Sequence, residues 1–202
     1  MDIHAVPTDI HLPAGMAGPE PMDFDVRCYV LPHSTGLVLI DTGMPETPER
    51  VGAALAALGA AWTDVTDVVL THAHPDHTGG LDAVRRLAPG ATVWGHPDDG
   101  YGGAVHPVVE GDAIRGLRIV HTPGHTPGHI CLLEEGSGVL FVGDAFGNVD
   151  GHLERAPARF TADAEEAERS LRRIANLTAT RMLLAHGAEV DDPSAALQQL
   201  LA

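Results

Sequence analysis

Apolar positions along the chain fall into short strand-like runs separated by turn formers, with a few segments of helical period between them. Asp25 to Leu31 and Gly36 to Asp41 read as β-rich runs, and Pro32-His33-Ser34-Thr35 between them predicts a hairpin turn. Thr47 is placed to cap a helix with Pro48 at its first position. Val51, Leu55 and Leu58 then follow at helical spacing until Gly59 stops it. The run DVVLTHAHPDHTGG begins as a buried strand and ends in a loop crowded with histidine and aspartate. A helix from about Gly80 to Leu87 and a strand ATVWG complete a β-loop-α-β order, typical of mixed α/β folds. Further strands are predicted at Leu117 to His121, Ile130 to Leu133, Val139 to Val142 and in RMLLAHG. A helix beginning at Thr161 carries Ala164, Ala167, Leu171 and Ile174 at steps of three and four, and Pro193 opens a short last helix. The first 23 residues, rich in Pro, Gly and Met, predict an extended entry segment or a loop over a site. Residues 96–112 and the stretch after GDAFG read as long loops. No repeat or linker divides the chain, so residues 1–202 are expected to form a single domain.

Charge narrows the range of partners. The 202 residues carry 28 acids against 12 arginines, with no lysine, for a formal charge of -16. Such a chain repels phosphate backbones and anionic lipid surfaces, so neither nucleic acid nor membrane is an expected partner. Without lysine there is no Schiff-base amine and no P-loop lysine. Cys28 and Cys131 sit in apolar runs and are expected to act as small hydrophobes. With no leader-like or membrane-spanning run, the expected location is the cytoplasm.

The candidate chemistry gathers where predicted strands give way to loops. His72 and His74 alternate in an extended turn and can point the same way, with Asp76 and His77 one step further round. In HTPGHTPGH, prolines and glycines hold imidazoles at fixed angles, as a site that must exist before its ion arrives requires. Asp144 ends one strand and His186 another. This nitrogen and oxygen set suits zinc, manganese or iron, and is too rich in nitrogen for calcium or magnesium.

From about Val26 to Gly187 the chain resembles the metallo-β-lactamase fold superfamily, through LIDTG, THAHPDH, HTPGHTPGH, GDAF and AHG in that order. The resemblance implies an α/β (α+β) fold, a four-layer αβ/βα sandwich with the site at one edge between two sheets. It implies His72, His74 and His125 on one metal, Asp76, His77 and His186 on a second, and Asp144 bridging them. Asp41 resembles a residue that supports the site through hydrogen bonds, with a plain turn-forming aspartate as the alternative. Of the three histidines in HTPGHTPGH only His125 matches the ligand position. His121 is then expected beside the ligands or exposed, and His129 facing substrate or structural. His4, His11, His33, His96, His106 and His152 are expected at the surface, with His96 and His152 able to touch substrate.

The function implied is hydrolysis of an ester, thioester or lactone of a small molecule, with two divalent ions, zinc or else iron or manganese. Asp76 is the expected catalytic residue, orienting water and accepting its proton. Asp144 argues against the true β-lactamase branches, which resemble this chain in THAHPDH but lack the bridging carboxylate. Little chain follows His186 here, so a counterpart of the helical domain that glyoxalase II adds for glutathione thioesters is not expected. Tyr29 and Tyr101 are the only candidates for the tyrosine of a lactonase. The loops at 12–23 and 96–110 are expected to set specificity for an uncharged or apolar substrate, and a homodimer is left open. Two alternatives remain: a mononuclear-iron persulfide dioxygenase of the same fold, and a non-catalytic metal-binding module.

Overall fold

The computed structural model describes residues 2–16 and 18–202; Ala17, inside the expected 12–23 loop, and Met1 lie outside that description. In chain order, β1 (His4–Leu12), β2 (Met22–His33) and β3 (Gly36–Ile40) lead into α1 (Thr47–Ala57). Next come β4 (Val65–Val69), α2 (Pro75–Thr78), α3 (Leu81–Leu87), β5 (Thr92–Gly95) and β6 (His106–Pro107). The second half runs β7 (Ala113–Ile114), β8 (Leu117–His121), β9 (Ile130–Glu134), β10 (Val139–Phe141), β11 (Phe146–Val149) and β12 (His152–Arg155). It closes with α4 (Ala164–Ile174), β13 (Arg181–Leu183) and α5 (Pro193–Leu201).

Strands β1 to β6 form one six-stranded sheet in sequence order, and a five-stranded sheet has the order β13-β10-β9-β8-β7. Successive side chains of a strand point to opposite faces, which sorts the apolar residues into three cores. Cys28 and Val30 turn to one face of the first sheet, where they pack with Val51 and Leu55 of α1 and Val84 of α3. Tyr29 and Leu31 turn to the other face and meet Ile119, Ile130 and Leu132 of the second sheet. Cys131 and Leu133 continue to the far face, against Leu171 and Ile174 of α4 and Leu197 of α5. Helix, sheet, sheet and helix thus stack as a four-layer αβ/βα sandwich. Burial of a side chain such as Ile130 or Leu132 contributes roughly 1.5–3 kcal/mol. Among the described residues, no helix is long and apolar enough to cross a membrane.

Five local expectations change. The entry segment contains a nine-residue strand, β1, whose Val6, Thr8 and Ile10 point inward. Pro7 is tolerated because β1 is the outer strand of its sheet. Its partner Arg27 sends its own N–H away from β1, to Ala185 O, so the Pro7 nitrogen faces the free edge. Helix α1 includes Thr47, whose hydroxyl accepts from Met44 N–H rather than capping the helix. Helix α4 starts after Asp163, which accepts from the N–H groups of Glu165 and Glu166. The stretch after GDAFG forms the β11–β12 hairpin, turned by Asp150 and Gly151 at positive φ. That Asp-Gly pair is the sequence signal for a tight hairpin. In the 96–112 segment, β6 adds a short parallel strand beside β5.

Candidate metal centre

Parallel pairing sets up the site. β4 runs parallel to β3 and β13 parallel to β10, so the residues just past these four strands gather at one end of the sandwich. Asp41 follows β3, His72 and His74 follow β4, Asp144 follows β10, and His186 follows β13. Pro75 then opens the single turn α2, which carries Asp76 and His77. His125 and His129 come from the loop between β8 and β9. Gly143 turns the chain into Asp144 at φ 53°, and a Cβ there would lie 2.6 Å from His129 Nε2, so this position needs glycine.

The seven residues singled out in the sequence fall into two groups that share one carboxylate. His72, His74, His125 and Asp144 have potential ligand atoms within 4.8 Å of one another, and so do Asp76, His77, Asp144 and His186. Around the Asp144 carboxylate stand His77 Nε2 at 3.0 Å, His186 Nε2 at 3.2 Å, His125 Nε2 at 3.3 Å and His72 Nε2 at 3.9 Å. Asp76 Oδ2 lies 3.6 Å from His186 Nε2, and His74 Nδ1 lies 2.9 Å from His125 Nε2. His72, His77, His125 and Asp144 are buried, whereas the side chains of Asp76 and His186 keep 23% and 24% of their surface exposed.

These residues fit a pair of cations. His72 Nε2, His77 Nε2 and Asp144 Oδ1 are buried without a hydrogen-bond partner, an arrangement that costs roughly 1–3 kcal/mol per group unless something else satisfies them. All are lone-pair donors, and they converge. His77 Nδ1–H donates to Asp41 Oδ2 at 2.8 Å, which leaves Nε2 as the free lone pair. His186 Nδ1–H donates to the Asp25 carbonyl at 2.6 Å with the same result. Asp41 also accepts from Thr71 N–H and Thr71 Oγ1–H, both at 2.8 Å. Its φ of 58° aims the carboxylate under the β4 loop.

Two further buried side chains hold the frame, of which the sequence did not single out Asp99. Asp99, in the 96–112 segment, accepts from Ala73 N–H at 2.8 Å, Thr126 Oγ1–H at 2.9 Å and Gly128 N–H at 2.7 Å. One carboxylate thereby ties the loop of His72 and His74 to the loop of His125. Nothing in HPDDG distinguishes Asp99 from its exposed neighbour Asp98. His129 accepts the N–H of Asp144 on Nε2 at 3.0 Å and donates from Nδ1 to Thr122. Both ring nitrogens are spent, so His129 positions Asp144, the structural alternative expected for it.

Electrostatics follows from this packing. Burial, and then the neighbouring His77, holds the His72 pKa well below its usual value, so its imidazole is neutral. Burial, and then His125, pushes His129 down to about 3. Burial also opposes charge on His77, yet Asp144 and Asp41 on either side outweigh it and raise its pKa. A proton there answers the same two anions that a metal ion would. Burial likewise disfavours the Asp144 carboxylate, but His186 and His77 hold its pKa well below the ordinary range.

His96 departs from the surface position expected of it: it is buried and stacks on His121 with ring centroids 4.0 Å apart and planes 10° from parallel. With Asp98 these two rings form a third cluster of ligand-type side chains. Parallel stacking sends their in-plane lone pairs side by side rather than to a common point. His11 and His152 are exposed as expected, and His33 is half-buried against Thr66. Tyr29 donates its hydroxyl to Leu184 O within the core, and Tyr101 packs against the first apolar cluster.

Comparison with known proteins agrees with this architecture. Residues 22–186 match the model of the metallo-beta-lactamase superfamily. The chain is 34% identical over 156 residues to hydroxyacylglutathione hydrolase of Alkalilimnicola ehrlichii, a match covering 73% of this chain and 55% of that protein. It spans about half the length of most of the curated relatives it matches. A metallo-beta-lactamase family protein of Thermus thermophilus has a similar fold, with TM-score 0.78 and 24% identity over 98% of this chain and 78% of that one. The protein TTHA1623, solved in a di-iron-bound form, gives TM-score 0.69 and 26% identity over 82% of this chain and 89% of its own.

Proposed function

The chain belongs to the metallo-β-lactamase superfamily, and on that premise we propose that it is a hydrolase of small-molecule esters, thioesters or lactones with two divalent metal ions, zinc first among them. His72, His74 and His125 would hold one ion and Asp76, His77 and His186 the other, with Asp144 between them. The observation that carries this reading is the sharing of Asp144 by both groups, because a single carboxylate bordered by two ligand sets suits a pair of ions and not an isolated one.

When bound, such a pair polarises a carbonyl and lowers the pKa of water towards neutral. The chain's own residues supply the rest. Asp41 and the Asp25 carbonyl fix the His77 and His186 rings, so that their Nε2 lone pairs stay directed inward without reorganisation. Asp76, partly exposed beside His186, is the carboxylate able to meet an attacking water, orient it and take up its proton. Asp99 keeps the two halves of the first group in register while this happens.

Support for a thioester comes from the hydroxyacylglutathione hydrolase relative. Iron is the second candidate metal, since the 26% identical TTHA1623 is known in a di-iron-bound form. Elemental analysis with an ester and thioester panel tests the reading. Two zinc ions per chain in the unaltered protein, with hydrolysis lost in a folded Asp76→Asn variant, is the expected result. A single iron per chain with oxygen consumption on a persulfide would replace it.

A further inference from the structure

A cavity of about 360 Å³ lies beside the metal centre, between α4 and the segment that follows the β11–β12 hairpin, with His125 and Asp144 in its wall. Most of its polar side chains are already engaged. Thr122 is bonded to His129 at 2.8 Å, Ser170 donates to the Pro123 carbonyl at 2.7 Å, and Thr161 donates to the Pro157 carbonyl at 3.1 Å. Arg155 at the rim is paired with Glu168 at 2.9 Å. The rest of the wall is apolar, formed by five alanines, at 145, 156, 158, 164 and 167, with Pro157 and Leu171.

A molecule suited to this space is polar only where it reaches Asp144 and apolar along the remainder. An anionic tail would find Arg155 already paired and a chain of formal charge -16 around it. The volume lies near the lower end of ligand cavities, roughly 300–1,000 Å³, which suits a short or medium chain rather than a long one. We propose that this cavity is an acyl site, taking the uncharged, saturated acyl chain of the ester or thioester whose cleavage is proposed above, on which reading the assignment of its occupant rests. The walls come from the loop between β8 and β9, from GDAFG and the segment after it, and from α4, not from the 12–23 and 96–110 loops expected to set specificity.

Straight-chain alkanoates from acetate to octanoate, titrated into the zinc-loaded full chain carrying ¹³C-methyl alanine, test the assignment. Affinity should tighten about fourfold per added methylene. Methyl shifts should concentrate at Ala145, Ala156, Ala158, Ala164 and Ala167. Ala164→Phe, at an exposed position in the first turn of α4, should fill the space and flatten the trend. Ala158→Phe gives a second variant outside α4. Affinity independent of chain length, shifts centred elsewhere, or a trend that survives both variants would overturn the acyl site. Running nitrophenyl esters of the same chain lengths in parallel separates the two claims. Length-dependent binding without hydrolysis of any ester would remove the hydrolytic reading and leave the pocket assignment standing.

Discussion

The two proposed ligand groups that meet at Asp144 are built differently. The first, with His72, His74 and His125, joins two loops that the buried Asp99 fastens together through Ala73, Thr126 and Gly128. The second, with Asp76, His77 and His186, is braced by Asp41 and the Asp25 carbonyl, and two of its members remain about a quarter exposed. In the first group only His74 is partly exposed, whereas in the second both Asp76 and His186 are, so water has more access there and a proton a shorter way out. The difference places Asp76, the proposed proton acceptor, on the side where solvent is within reach. It also means that the two halves should fail separately when their own braces are removed.

Removing the shared residue should have the largest effect. Asp144→Ala is expected to lower metal content in both groups and abolish turnover, as measured by elemental analysis and ester hydrolysis; retention of two ions would refute the sharing. Next come the single-group variants. His125→Ala and His186→Ala should each reduce the content from two ions to one and leave the other group able to bind, so simultaneous loss of both ions in either variant would blur the distinction drawn above. Smaller again are the braces. Asp41→Asn and Asp99→Asn should weaken affinity about 10–100-fold, Asp41 for the ion of the second group and Asp99 for that of the first. Chelator competition on the one-ion variants assigns each effect to its group. The smallest change is a core trim away from the site: Ile119→Val should cost about 0.5–1.5 kcal/mol in denaturant unfolding, with metal content unaltered.

Much of this arrangement was legible where neighbours in sequence are also neighbours in space. THAHPDH places four ligand-type side chains within six residues, and the strands at Ile130 and Val139 announce themselves by apolar runs. Asp144 and His186 could be singled out because each stands alone at the end of an apolar strand. Asp99 could not, because its partners are two main-chain N–H groups and a hydroxyl on other loops, and no residue type marks a position for that duty. His96 was misplaced for a related reason: its burial depends on stacking with His121, 25 residues away in sequence. β1 was legible only as an extended entry segment or a loop, because Pro, Gly and Met crowd the first 23 residues, and Pro7 fits a strand there only because that strand lies at an edge.

That edge has a consequence for the behaviour of the protein in a crowded solution. The outer side of β1 has no N–H to offer at Pro7, and the Pro7 carbonyl, which points the same way, is approached by Arg50 Nη1 at 3.4 Å. A foreign strand trying to continue the sheet would meet a missing donor and a covered acceptor at the same rung. Pro7 therefore makes the β1 edge a poorer template for a further strand.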